Sequence, residues 1–163
     1  MADVIARVFS GYSEEDMPLG TYAGLSSLFA AGLGVALLAA ARSERLPEEP
    51  RLVDVVLAGI ATHKASRLVS KDTVTSFIRA PFTRLEEAGE MSELNESPRG
   101  GPVRKAIGEL VACPSCIGQW IAGADFVGLL FAPRATRVVN GLFTAVAISD
   151  FMQYAWSVSQ EKT

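Results

Sequence analysis

The chain has 163 residues, 49% apolar and 20% charged, with a formal net charge of −3 and two cysteines. Its length suggests one domain, and its positive mean hydropathy excludes a disordered chain. The lack of a dense basic run excludes nucleic acid as a partner, and two cysteines are too few for a secreted disulfide framework.

Residues 1–20 form an N-terminal tail in which Arg7 stands against Asp3, Glu14, Glu15 and Asp16. A signal peptide would begin basic and carry a shorter apolar core, so the first apolar block is expected to stay in the mature protein. No charge occurs from Met17 to Ala41. Residues 22–41 read YAGLSSLFAAGLGVALLAAA, a spanning helix of roughly 30 Å. Its stripes Ala23/Ser27/Ala31 and Gly32/Ala36/Ala40 would let another helix approach closely.

Pro47 and Pro50 separate this block from residues 52–69, a second helix that either spans or lies at the interface. Its uncharged centre is short, and it ends in His63, Lys64 and Arg67, which occupy about one helical turn. Residues 71–109 read as a polar connector. Within it, Arg79, Phe82 and Arg84 suit contact with lipid headgroups or a partner, and Glu86 to Pro102 reads as a mobile acidic loop. Residues 111–132 and 137–157 form a helical hairpin that can span, with a turn at APRA. Gly118/Ala122, Ala124/Gly128 and Gly141/Ala145/Ser149 offer close-packing positions in it.

The fold expected is therefore all-α: a polytopic membrane helical protein with three to four membrane helices and a cytoplasmic polar connector. If all four blocks span, ten Lys and Arg fall inside and five outside. If residues 52–69 do not span and the N-terminus is outside, the division is twelve to three. The positive-inside rule prefers the second arrangement. Both put residues 71–112, the cysteines and the C-terminus in the cytoplasm, which points to a multi-pass protein of the inner membrane.

Cys113-Pro114-Ser115-Cys116 opens the third long block, with Pro114 suited to a first helical turn and Cys113 to its cap. A thiolate there is favoured by the helix N-terminus. The pair can be a redox dithiol, half of a zinc site completed by His63 or by a second copy of the chain, or simple packing. Asp125 and Asp150 sit within apolar segments, where a charge seeks protein or water. They lie nine residues before and sixteen after Arg134, so they differ in depth by about 10 Å. Pairing of one of them with Arg67 or His63 is favoured over a shared carboxylate pair, although a small transporter would also use them. No P-loop, dinucleotide-binding turn, nucleophile elbow or HExxH motif occurs. The chain reads as non-enzymatic and without a cofactor. Its partners are the lipid bilayer and either a protein or another copy of itself.

Two stretches carry a family resemblance. ATHKASRLVSKDTVTSFIRAPFTR (61–84) resembles the signature ATHR-x-x-R-L-V-x-KD-x-V-T-x-x-x-R-x-PF-x-R. SPRGGPVRKAIGELVACPSCIGQWIA (97–122) resembles RG…R-x-A-x-GEL-x-x-CP-x-C-x-G-x-W. Both belong to the domain of unknown function family 1360, small bacterial helical membrane proteins, and the resemblance covers roughly residues 52–150. Lys64 stands where the family has arginine, which retains the positive charge. The resemblance implies a bacterial or phage origin, with members in spore-forming bacteria, and a helical membrane fold. It brings no activity.

Overall fold

The computed structural model describes residues 11–13, 17–89 and 93–161. Most of the N-terminal tail, with Arg7, lies outside the described residues. Six α-helices and one two-stranded sheet are found among the described residues. Helix α1 is Leu19–Arg42 and α2 is Leu52–Ser70. A 3₁₀ turn, Thr73–Thr75, leads into the short α3, Ser76–Arg79. Strands β1 (Thr83–Ala88) and β2 (Leu94–Pro98) pair antiparallel, with an irregularity between Leu85 and Glu87. Helices α4 (Pro102–Ala112), α5 (Pro114–Phe131) and α6 (Pro133–Glu161) complete the chain.

This architecture corrects the expected one in two respects. First, among the described residues one helix, α1, is long and apolar enough to cross a membrane; a second candidate arises only if α4 and α5 count as one span, and they meet at an 81° bend. Three to four spanning helices are therefore not what the chain forms. The reason is visible in the helices themselves. Asp54, His63, Lys64 and Arg67 interrupt α2; Gln119 and Asp125 interrupt α5; Arg134, Arg137, Asn140, Asp150 and Gln153 interrupt α6. Many of these residues bond to one another across the helix interfaces. Second, the stretch from Glu86 to Pro102, read as a mobile loop, holds the end of β1 and all of β2, and the chain is not all-α. The described residues of 71–112 form α3, the β-hairpin and α4, a cap packed on the end of α2.

Helix α2 is central and packs against both α5 and α6, whereas α1 packs on α5 and α4. The fully buried apolar residues are Ala40, Ala58, Ala61, Ala106 and Ala147, all alanines. Small side chains at a helix interface bring backbones close together. Buried polar groups use that proximity: the Thr144 hydroxyl donates to the Leu57 carbonyl at 3.3 Å. In α5, Gly118 faces Thr62 and Ser66, Gly123 faces the Phe29 ring, and Gly128 faces Thr136. Gly32 and Gly141, read as close-packing positions, face open space. Large apolar side chains are instead left outside, among them Leu28, Val35 and Leu38 of α1 and Leu142, Ile148, Phe151 and Met152 of α6.

Candidate functional site

A buried ion pair lies at the centre of the cap. Arg79 and Glu96 have 0% and 5% side-chain exposure. The Arg79 Nε donates to Glu96 Oε2 at 2.8 Å and Nη2 donates to Oε1 at 3.2 Å. Nη1 donates to the Val69 carbonyl (2.7 Å) and to Thr75 Oγ1 (3.2 Å), and Nη2 to the Asp72 carbonyl (3.1 Å). All five guanidinium N–H groups are thereby engaged, which a lysine could not reproduce. The Thr83 hydroxyl lies 2.8 Å from Glu96 Oε2. Arg79 was expected to meet headgroups or a partner; it is instead the internal staple joining the end of α2 to both strands. A buried arginine needs a carboxylate, and that requirement overrides its availability for a surface.

Other residues of the two signature blocks are also structural. The Arg99 backbone N–H donates to the Phe82 carbonyl at 2.9 Å, and its guanidinium donates to the Ala80 carbonyl at 2.7 Å. Arg104 Nε donates to the Pro81 carbonyl. Phe82 is half-buried under α4, and Arg84 is exposed on β1. Glu109 accepts from the Tyr22 hydroxyl, tying α4 to the start of α1.

A second group of charged residues lines a cleft of about 740 Å³ between α2, α6 and the base of the hairpin. Lys64 Nζ lies 2.8 Å from Asp150 Oδ2, and Arg67 pairs with Glu93. The His63 ring stacks on Phe151 with centroids 6.2 Å apart. Tyr154 and Asp72 also line the cleft. Sequence reasoning grouped Arg67 and His63 with Asp150, but the partner of Asp150 is Lys64. It missed Glu93 and Phe151. Glu93 was hidden in the stretch read as a mobile loop, and Phe151, next to Asp150, lies in a segment read as a spanning helix. Asp125 lies elsewhere, accepting from Asn140 Nδ2 at 3.1 Å. The two aspartates therefore do not share a site.

A smaller cavity of about 310 Å³ lies near the opposite end of α2. There Arg137 donates from Nη2 to Asp54 at 2.8 Å and from Nε at 3.0 Å. The guanidinium's hydrogen bonds hold the Asp54 carboxyl below the ordinary carboxylate range.

The cysteines sit at the bend between α4 and α5, apart from the cleft. Cys113 is the N-cap of α5, and its sulfur accepts the Cys116 backbone N–H at 3.3 Å. Both thiols are free. Burial would raise the Cys113 thiol, but hydrogen bonds from the Cys116 thiol and from the Cys116 and Ser115 N–H groups, with the Lys71 charge, hold it below the ordinary value. Burial and the neighbouring Cys113 push Cys116 up to about 11. Cys113 is therefore the more thiolate-like sulfur near neutral pH. Among the described residues, no three His, Cys, Asp or Glu side chains gather where they could hold a metal. His63 belongs to the cleft and does not complete a ligand set with the cysteines.

Comparison with known proteins agrees with the cap's signature blocks. The chain is similar to the sporulation protein YjcA of Bacillus subtilis (strain 168), with 26% identity over 102 residues, covering 61% of this chain and 86% of that protein. No solved structure matches. The sequence model described as "Protein of unknown function (DUF1360)" matches residues 57–156, which take in most of α2, the whole cap, α5 and most of α6. The chain belongs to the DUF1360 family of proteins of unknown function.

Proposed function

We propose that this protein is held in a bacterial cytoplasmic membrane by α1 and acts by binding rather than by catalysis, with its folded cap on the cytoplasmic side. The observation that carries the reading is the division of labour among its charged residues. Arg79, Glu96, Arg99 and Arg104 are consumed in building the cap, while Lys64, Arg67, Glu93 and Asp150 pair in a cleft beside it rather than in a catalytic constellation. Twenty-four residues of α1 contain one charge, the terminal Arg42. That suits a hydrocarbon layer, and the exposed apolar side chains of α6 suit lipid as their neighbour. The relative's name places that protein in sporulation, a cellular setting this chain would share.

Labelling in intact cells tests the membrane placement. Cys116 is exposed, so a membrane-impermeant maleimide should modify it only after the cells are opened. Labelling in intact cells would put the cap on the outer side and overturn the reading. Extraction of the protein by alkaline carbonate would remove the membrane anchor.

A second reading, a thiol-dependent function, is favoured by the N-cap geometry of Cys113. Iodoacetamide should modify Cys113 ahead of Cys116 between about pH 7 and 9, since alkylation follows the thiolate fraction. Cys116→Ala removes a hydrogen bond to the Cys113 sulfur and should move its alkylation profile to higher pH. Peptide mass spectrometry reads both effects, and modification of Cys116 first would remove this reading.

A further inference from the structure

We infer that the cleft between α2 and α6 seats the headgroup of a zwitterionic, amine-bearing phospholipid, its phosphate toward Lys64 and Arg67 and its ammonium toward Asp150 and the rings of Phe151 and Tyr154. This deepens the binding role proposed above and rests on it.

Charge chemistry selects the ligand. The cleft presents two formal cations, Lys64 and Arg67, against three formal carboxylates, Asp72, Glu93 and Asp150. An anion would gain two cations but leave three carboxylates facing it. A zwitterion adds no net charge to the cleft, and its two ends can replace partners in the Lys64–Asp150 and Arg67–Glu93 pairs, so the balance of two cations to three carboxylates is left as it was. Both pairs bridge α2 to another element, Lys64 to α6 and Arg67 to the hairpin. The two aromatic rings are 63% and 58% exposed and offer faces to an ammonium group.

The position of the cleft selects a lipid over a soluble zwitterion. Tyr22 reaches Glu109 of the cap, Phe29 packs on Trp120 with centroids 5.3 Å apart, and Arg45 reaches the Phe131 carbonyl. Helices α1 and α5 therefore run side by side from the cap end. Gly118, near the start of α5, faces Thr62 and Ser66 of α2. The Lys64–Arg67 turn thus lies toward the cap end of the membrane helix, where headgroups meet acyl chains. Ile148 and Met152 are exposed beside Phe151 and continue an apolar surface along α6. The cleft volume of about 740 Å³ exceeds what a headgroup alone would fill and leaves room for the first part of an acyl chain.

The test is native mass spectrometry of the full chain in non-ionic detergent, titrated with dilauroyl phosphatidylethanolamine, dilauroyl phosphatidylglycerol and free phosphoethanolamine. The ethanolamine lipid should bind one to one and roughly tenfold or more tighter than the glycerol lipid, the size expected of a charge-assisted hydrogen bond. Asp150→Asn should abolish that preference, while Asp54→Asn, the same change at the other cavity, should keep it. Equal or tighter binding of phosphatidylglycerol to the wild-type protein overturns the proposal without reference to any variant. Equal loss in Asp54→Asn, or retention in Asp150→Asn, overturns it too. Free phosphoethanolamine binding as tightly as the lipid would overturn the lipid assignment. Vesicle flotation separates the two levels: a protein that does not float with vesicles fails the membrane-bound reading, whereas one that floats without headgroup preference fails this inference alone.

Discussion

Arg79→Ala should unfold the cap while leaving the helices beneath it associated. Removing the guanidinium strands Glu96, whose side chain is 5% exposed, without a counter-charge. It also frees the Val69 and Asp72 carbonyls that close the end of α2. Breaking one partner of a buried pair typically costs about 3–5 kcal/mol, because the other charge stays behind desolvated. A small cap has little stability beyond that to lose. Arg79→Lys keeps the charge but has three donors for five acceptor contacts, so its loss should be intermediate. The double variant Arg79→Met/Glu96→Leu removes both charges and should recover much of the stability, since two apolar side chains need no partner. Limited proteolysis reads the outcome directly: Arg79→Ala should be cut within residues 83–100 under conditions where the wild-type chain survives there. Equal resistance would show that the pair is not what closes the cap.

This pair also marks how far the sequence could be read. The charge-free run from Met17 to Ala41 announced a helix because a helix is a local object, and the structure has one at Leu19–Arg42. The family was legible because its signatures are contiguous strings. The cap was not, because its closure is non-local. Arg79 finds Glu96 seventeen positions on, and local composition around Glu96 is acidic, short of large apolar residues and loop-like. Hydropathy also misjudged the number of spans. It gave single charges in α5 and α6 little weight, whereas Asp125, Arg137 and Asp150 bond to Asn140, Asp54 and Lys64 on neighbouring helices. The cleft suffered twice: its cations were visible as one turn of α2, but the carboxylates paired with them, Glu93 and Asp150, come from the base of the hairpin and from α6.

A substitution at Gly108 probes the same architecture from the other side. Glycine to alanine inside a helix ordinarily stabilises, by about 0.5–1 kcal/mol, because alanine loses less backbone entropy. Gly59 in α2, with open space where a Cβ would go, should follow that rule. Gly108 in α4 should reverse it. Its Cβ would stand 2.6 Å from the Phe82 carbonyl oxygen and 3.1 Å from Pro98 Cβ. Neither neighbour yields easily: the Phe82 carbonyl also accepts the Arg99 N–H, and Pro98 ends β2. Overpacking of this kind typically costs about 1–3 kcal/mol. Gly108→Ala should therefore lower the melting temperature of the purified protein, whereas Gly59→Ala should raise it. It should also loosen the Tyr22–Glu109 contact, because Glu109 is the next residue on α4. If both substitutions stabilised, α4 would not be seated on the hairpin. The glycine of the GEL signature would then need a role outside packing.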